Sequence, residues 1–175
     1  MKVKKKRMPK KAQIWFIDFA VGLLIFIVAL VFFFTADTNL LDREQNTLND
    51  LNFESKLITE SLMNTGYPRM WNKSNVVEIG ISDNNRINET KLRYFGEIEY
   101  NTSKSVLKTK YDYYLFFQDS SSTAWINSSH EGTGKPGTNS TNVLDVNDPD
   151  YIVKMVRFVI YKSNPKKMVL YLWKQ

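Results

Sequence analysis

Four oxygen donors stand within one short stretch, at Asp145, Asn147, Asp148 and Asp150, and such a cluster is the kind that holds Ca²⁺. Laid on the calcium-loop pattern, however, Pro149 falls at position five and Val156 at position twelve, where a bidentate glutamate belongs. The default reading is a solvated acidic turn, with a loose surface Ca²⁺ site as its alternative. Gly132-Thr133-Gly134-Lys135 has the ending of a phosphate-binding loop, but Ser129 stands where the earlier glycine is required and Pro136 where Ser or Thr would ligate magnesium. His130 is the sole histidine and cysteine is absent, so no transition-metal site can be assembled from imidazole and thiolate. No activated nucleophile is marked either, so no enzyme, cofactor or metal is expected. Tyr111, Tyr113, Tyr114, Trp125, Tyr151, Tyr161 and Trp173 offer faces for sugar stacking, yet aromatics in apolar strands more often fill a core.

The remaining residue of chemical interest is Asp18, an acid inside an apolar run. Phe19 to Thr35 carries no charge, and Ile14 to Ile17 extends the run upstream. About 20 residues at roughly 1.5 Å each match a hydrocarbon core of roughly 30 Å. A secretory signal has a shorter apolar region and a small-residue cleavage site, for which Thr35-Ala36 is a poor substitute, so retention as a membrane helix is expected. Seven cationic residues precede it (Lys2, Lys4, Lys5, Lys6, Arg7, Lys10, Lys11), whereas Asp37, Asp42 and Glu44 follow against Arg43 alone. The positive-inside rule then keeps the N-terminus in the cytoplasm and the C-terminal domain outside.

This asymmetry also explains the formal net charge of +6. From Asp37 onward the chain carries 17 basic and 17 acidic residues, and such a neutral domain has no reason to seek nucleic acid. Asn-X-Ser/Thr occurs at Asn72, Asn88, Asn101, Asn127 and Asn139, all beyond the apolar run, as suits an exported and N-glycosylated domain. An Asn/Ser-rich surface is the competing explanation.

Beyond the run, Leu40, Leu41, Leu48, Leu51, Leu57, Ile58 and Leu62 recur at helical spacing. Neither Pro nor Gly intervenes between Gly22 and Gly66, so one helix is expected from about Gln13 to Asn64. Val76 to Ile81 reads as a strand and Asn88 to Tyr100 as a short amphipathic helix, with Leu92, Phe95 and Ile98 on one face. Tyr111 to Phe117 reads as an aromatic strand, and Gln118 to Asp150 as an exposed polar loop. Two apolar runs around Lys162-Ser163-Asn164-Pro165-Lys166 predict a C-terminal antiparallel hairpin, one face of which packs on the outer half of the helix. The expected fold class is α+β. A long N-terminal helix, with a membrane-spanning half and an amphipathic outer half, carries a small antiparallel sheet head as a stick carries a lollipop.

Lys10-Lys11-Ala12-Gln13-Ile14-Trp15-Phe16-Ile17-Asp18-Phe19 sets a basic leader, a small residue and a polar residue before an apolar helix with an acid near its start. This resembles the class III signal peptide of type IV pilins and archaeal pilin-like proteins over about residues 8–36. The resemblance implies a leader at 1–12, a membrane helix at 13–36, its outer continuation at 37–66 and an extracellular head at 67–175. It further implies a prepilin peptidase cutting between Ala12 and Gln13, and pairing of Asp18 with the freed amine of a neighbouring subunit. Asp18 would then be sixth in the mature chain where the family acid is usually fifth, and Ala12 stands where Gly is common. Alternatively, Asp18 is an interfacial acid, partly solvated near Lys11. The function expected is that of a structural subunit, major or minor, of an extracellular filament, with membrane lipid and other such subunits as partners. The alternative is a single-pass anchored surface domain that binds a partner or envelope polymer without assembling.

Overall fold

The computed structural model describes residues 10–84, 86–119, 124–126, 131–145 and 148–175. The chain divides into two compact units, residues 1–45 and 46–175. One helix, α1 (Lys10–Leu62), begins in the first and ends in the second. It starts three residues before the expected Gln13 and stops two before Asn64. Its last turn tightens as Met63 N and Asn64 N donate to Glu60 O and Ser61 O, and the chain then turns at Gly66, whose φ of +71° favours glycine.

Within the second unit, α1 buries Leu51, Ser55, Ile58, Thr59 and Leu62, a face repeating at three and four residues. Leu48 and Leu57, counted in the expected stripe, are exposed, and Leu40 and Leu41 lie outside the residues whose side chains are described. The small Ser55 and Thr59 donate their hydroxyls back to the carbonyls of Asn52 and Lys56, which satisfies both donors within the helix. Thr59 Oγ1 also accepts a hydrogen bond from Arg157 Nε at 2.8 Å, and Glu54 accepts one from Thr109 at 2.6 Å.

The rest is a sheet flanked by two short helices. Its strands are β1 (Ser82–Asp83), β2 (Arg86–Ile87), β3 (Asp112–Gln118), β4 (Ala124–Trp125), β5 (Thr133–Gly134), β6 (Tyr151–Tyr161) and β7 (Asn164–Lys174), in the order β1-β2-β6-β7-β3-β4, with β5 also on β3. The expected antiparallel sheet is in fact mixed, because β2 runs parallel to β6 at Arg86↔Ile160. The C-terminal hairpin forms over the full length of β6 and β7, from Tyr151↔Lys174 to Tyr161↔Asn164. Its turn is Lys162-Ser163, both at positive φ, and the tight turn lets the strand resume at Asn164 within the stretch read as connection. Pro165 is tolerated in β7 because β3 pairs only as far as Lys167, so no ladder N–H is demanded of it on that side.

Val76 to Ile81 is not a strand. Val77 N and Glu78 N both donate to Tyr67 O, and Ile81 N donates to Leu62 O at 2.8 Å, so this segment closes the end of α1 instead of joining the ladder. The helix expected over Asn88 to Tyr100 is two: α2 (Glu89–Glu97), capped by Asn88, and α3 (Tyr100–Val106). Ile98 breaks them with an extended ψ of 133° yet keeps its side chain buried beside Leu92 and Phe95.

Two apolar clusters cover the two sheet faces. The larger joins Leu51, Ile58 and Leu62 to Leu92, Phe95 and the inward residues of β3 and β7. The smaller gathers Tyr114, Phe116, Val169 and Trp173 under Val143, a residue of the stretch read as exposed loop. Fully burying one such leucine or valine is worth roughly 1.5–3 kcal/mol, which gives a head without disulfides its cohesion.

Candidate functional site

In the first unit, Trp15–Thr35 is a 21-residue helical stretch long and apolar enough to cross a membrane, and none of it is buried. A helix satisfies its own backbone, which is the requirement for any segment entering hydrocarbon. Thr35 Oγ1 likewise donates to the Val31 carbonyl one turn back, so its hydroxyl needs no water.

Asp18 sits in the first turns of that stretch among exposed Trp15, Phe16, Ile17 and Phe19. It makes no hydrogen bond or ion pair with any described residue. Ala12 and Gln13 lie inside α1, and their side chains are outside the described residues. Gln13 and Asp18 lie on one continuous helix, about 7.5 Å apart along its axis at 1.5 Å per residue.

In the head the strongest polar node is Asp112, which takes Lys104 Nζ at 2.6 Å, Lys135 Nζ at 2.7 Å and the Tyr100 hydroxyl at 2.6 Å. Lys135 also donates to Gln175 at 2.7 Å, so the node ties α3, β3, the segment after β5 and the chain end together. Burial alone would raise the carboxyl, but the hydrogen bonds of Lys104, Lys135 and Tyr100 outweigh it and hold Asp112 at about 2. Burial, then the Asp112 hydrogen bond and charge, pushes the Tyr100 phenol upward. With three donors on its two oxygens, this carboxylate is a fastener.

The lowered pKa makes it a pH-dependent fastener. Because the folded value lies below the ordinary 3.8, its contribution is complete above that pH and disappears as pH falls towards 2. Asp112→Asn should therefore lower stability by about 2 kcal/mol at neutral pH. The gap to the unsubstituted protein should close between about pH 4 and pH 2, where the native acid also becomes neutral. Urea midpoints of detergent-solubilised protein measured at stepped pH test this, and a gap independent of pH would refute it.

A second node lies at Asp83, which accepts from buried Lys91 at 2.8 Å and from Asn88 Nδ2 at 2.7 Å. The Lys91 hydrogen bond holds Asp83 below the ordinary carboxylate range despite the opposing effect of burial. This bears on the sequons. Asn88 caps α2 through Oδ1 and spends Nδ2 on Asp83, while Asn101 donates Nδ2 to Glu99 at 3.0 Å. Asn72 accepts from Ser74 N, and Asn139 from the N and Oγ1 of Thr141, through Oδ1 alone. Asn127 lies outside the described residues.

Of the other sequence motifs, Gly134 pairs with Tyr114 in the sheet and Lys135 is the Asp112 partner, so this segment packs on β3 and opens no helix. Among the described residues no three His, Cys, Asp or Glu side chains stand close enough to share a metal ion. Asp145, Asp148 and Asp150 are exposed, and Asn147 and His130 lie outside the described residues. Tyr111, Tyr113, Tyr114 and Trp173 are buried, and Trp125, Tyr151 and Tyr161 pack against the larger cluster, so these aromatics serve the core. Both nodes escaped the sequence reading, since Asp112 lies 8 residues from Lys104 and 23 from Lys135, and only the register of β3 brings them together.

No family model, curated protein or solved structure matches this chain.

Proposed function

We propose that this protein is a pilin-like structural subunit, held in the membrane by Trp15–Thr35 and assembled with copies of itself or similar subunits into an extracellular filament. The observation that supports this reading is a 21-residue apolar stretch with no residue buried, carrying an acid that has no partner among the described residues, in the same unbroken helix whose last turns enter the core of an α+β head. An apolar surface of that length needs lipid or other apolar helices around it, and an acid within it needs a partner. Bundling such helices supplies both.

In this reading the basic leader is removed by a prepilin peptidase, the head faces outward, and the sequons become available to glycan. N-terminal sequencing of the protein from its native membrane tests it directly. The mature chain should begin at Gln13, or at Ile14 if the acid must stand fifth. A mature protein that keeps Lys2 to Lys11 would sink the filament reading, because those charges cannot enter an apolar helix bundle at a tolerable cost. The anchored surface domain would then stand in its place.

A further inference from the structure

The head carries an apolar knob and an apolar groove on different sides, each rimmed by charge of opposite sign. The knob is on β6, where Val156, Phe158 and Ile160 point to one face and stay exposed, Phe158 at 75%. Register places Phe158 opposite Lys167 and Lys154 opposite Tyr171 on that same face. Neither lysine has an acidic partner among the described residues, and residues 151–175 hold six basic side chains and no acidic one. The groove, of about 450 Å³, runs beside the end of α1 and is lined by Leu57, Tyr67, Val77 and Leu107 with Glu54 and Glu78. Tyr67 and Val77 are 64% and 62% exposed. Lys108 is the one cation on its lining, and Glu78 has no partner among the described residues.

We propose that a second copy of this chain seats its Val156-Phe158-Ile160 strip in this groove, with Lys154 and Lys167 meeting Glu54 and Glu78. The inference rests on the filament reading and names the contact between heads. A single chain cannot close it, because the strip shares a sheet face with Val169 and Tyr171, whereas α1 contributes to the cluster on the opposite face. The contact is heterologous: each copy offers a knob to one neighbour and a groove to another, and repetition extends a row instead of closing a dimer. A lipid surface would cover the strip but leave the groove and its acids unmatched, whereas a second copy covers both.

The chain has no cysteine, so introduced ones report a single contact. Full-length protein carrying both Phe158→Cys and Val77→Cys, oxidised in intact native membranes with copper-phenanthroline, should give a ladder of disulfide-linked multimers. Each single variant should remain monomeric, and the two singles expressed together should give a dimer only. Lys167→Glu added to the double variant should reduce the ladder at least tenfold, and Glu78→Lys added to that should restore it. Dimers from Phe158→Cys alone would overturn the proposal, since they signal strip against strip. Filaments that form without a ladder would overturn this contact and leave the proposed function standing. Retained leader, absent filaments and absent ladder together would remove both.

Discussion

Asp18→Ala will leave the protein inserted and its head folded while abolishing assembly. The carboxylate stands on a lateral surface of exposed aromatic and aliphatic side chains and has no partner among the described residues of its own chain. A charged carboxylate costs about 2.5–3.5 kcal/mol at mid-membrane and less near the end of the stretch, where Asp18 stands, so alanine eases insertion. Assembly reverses the sign. If the freed amine of a neighbouring subunit compensates Asp18, its removal leaves that amine unpaired in hydrocarbon, at about 3–5 kcal/mol per contact. Repeated at every subunit, even the lower figure is about two orders of magnitude in each association step.

The head should not register the change, because every buried member of its main cluster lies at or beyond Leu51. Three measurements together decide the matter: membrane-fraction abundance, urea midpoint of the solubilised protein, and sedimentable extracellular filament. Unchanged filament with Asp18→Ala would place the acid at the interface with water, where Lys11 and solvent suffice. Asp18→Glu should retain part of the assembly, since the charge survives with a longer reach.

How much of this was legible in the sequence depends on how local the governing interaction is. The apolar stretch, the aromatic strand and the terminal hairpin each declare themselves within about two dozen consecutive residues, and the structure has all three. Ile98 shows what pattern reading cannot supply. Its spacing from Leu92 and Phe95 is helical and its side chain is buried with theirs, yet the backbone leaves the helix there, because burial constrains where a side chain goes and not which backbone delivers it. Val143 shows the same for loops, since an apolar residue inside a polar stretch packs on the second sheet face. The Asp112 node needed the register of β3 with its neighbours, which no local pattern carries.

Gly80→Ala should be strongly destabilising, and the reason is the failure of Val76 to Ile81 to form its expected strand. A Cβ at Gly80 would lie 2.2 Å from Gly66 N, 2.3 Å from Asn64 O and 2.8 Å from Asn64 C, all backbone atoms. No rotamer change relieves that contact. To make room, residues 79–82 must move off the end of α1. That motion strains the Ile81 N to Leu62 O bond of 2.8 Å, the Ser82 N to Asn64 O bond of 3.1 Å and the bond from Trp71 Nε1 to Gly80 O of 2.8 Å. Trp71, Ile79 and Ile81 are all but fully buried, so the displacement opens the core where the helix joins it. Overpacking of a well-packed site costs about 1–3 kcal/mol, and loss of one buried hydrogen bond adds about 1 kcal/mol, so about 3 kcal/mol is expected in total. Gly137→Ala is the matched control, because its φ of +80° disfavours a side chain but nothing lies within 4 Å of the new Cβ. It should cost about 1 kcal/mol from backbone strain alone. Urea unfolding of the two variants side by side separates contact from conformation. Equal losses would mean that the close backbone approach at Gly80 contributes nothing to holding the head on the end of its helix.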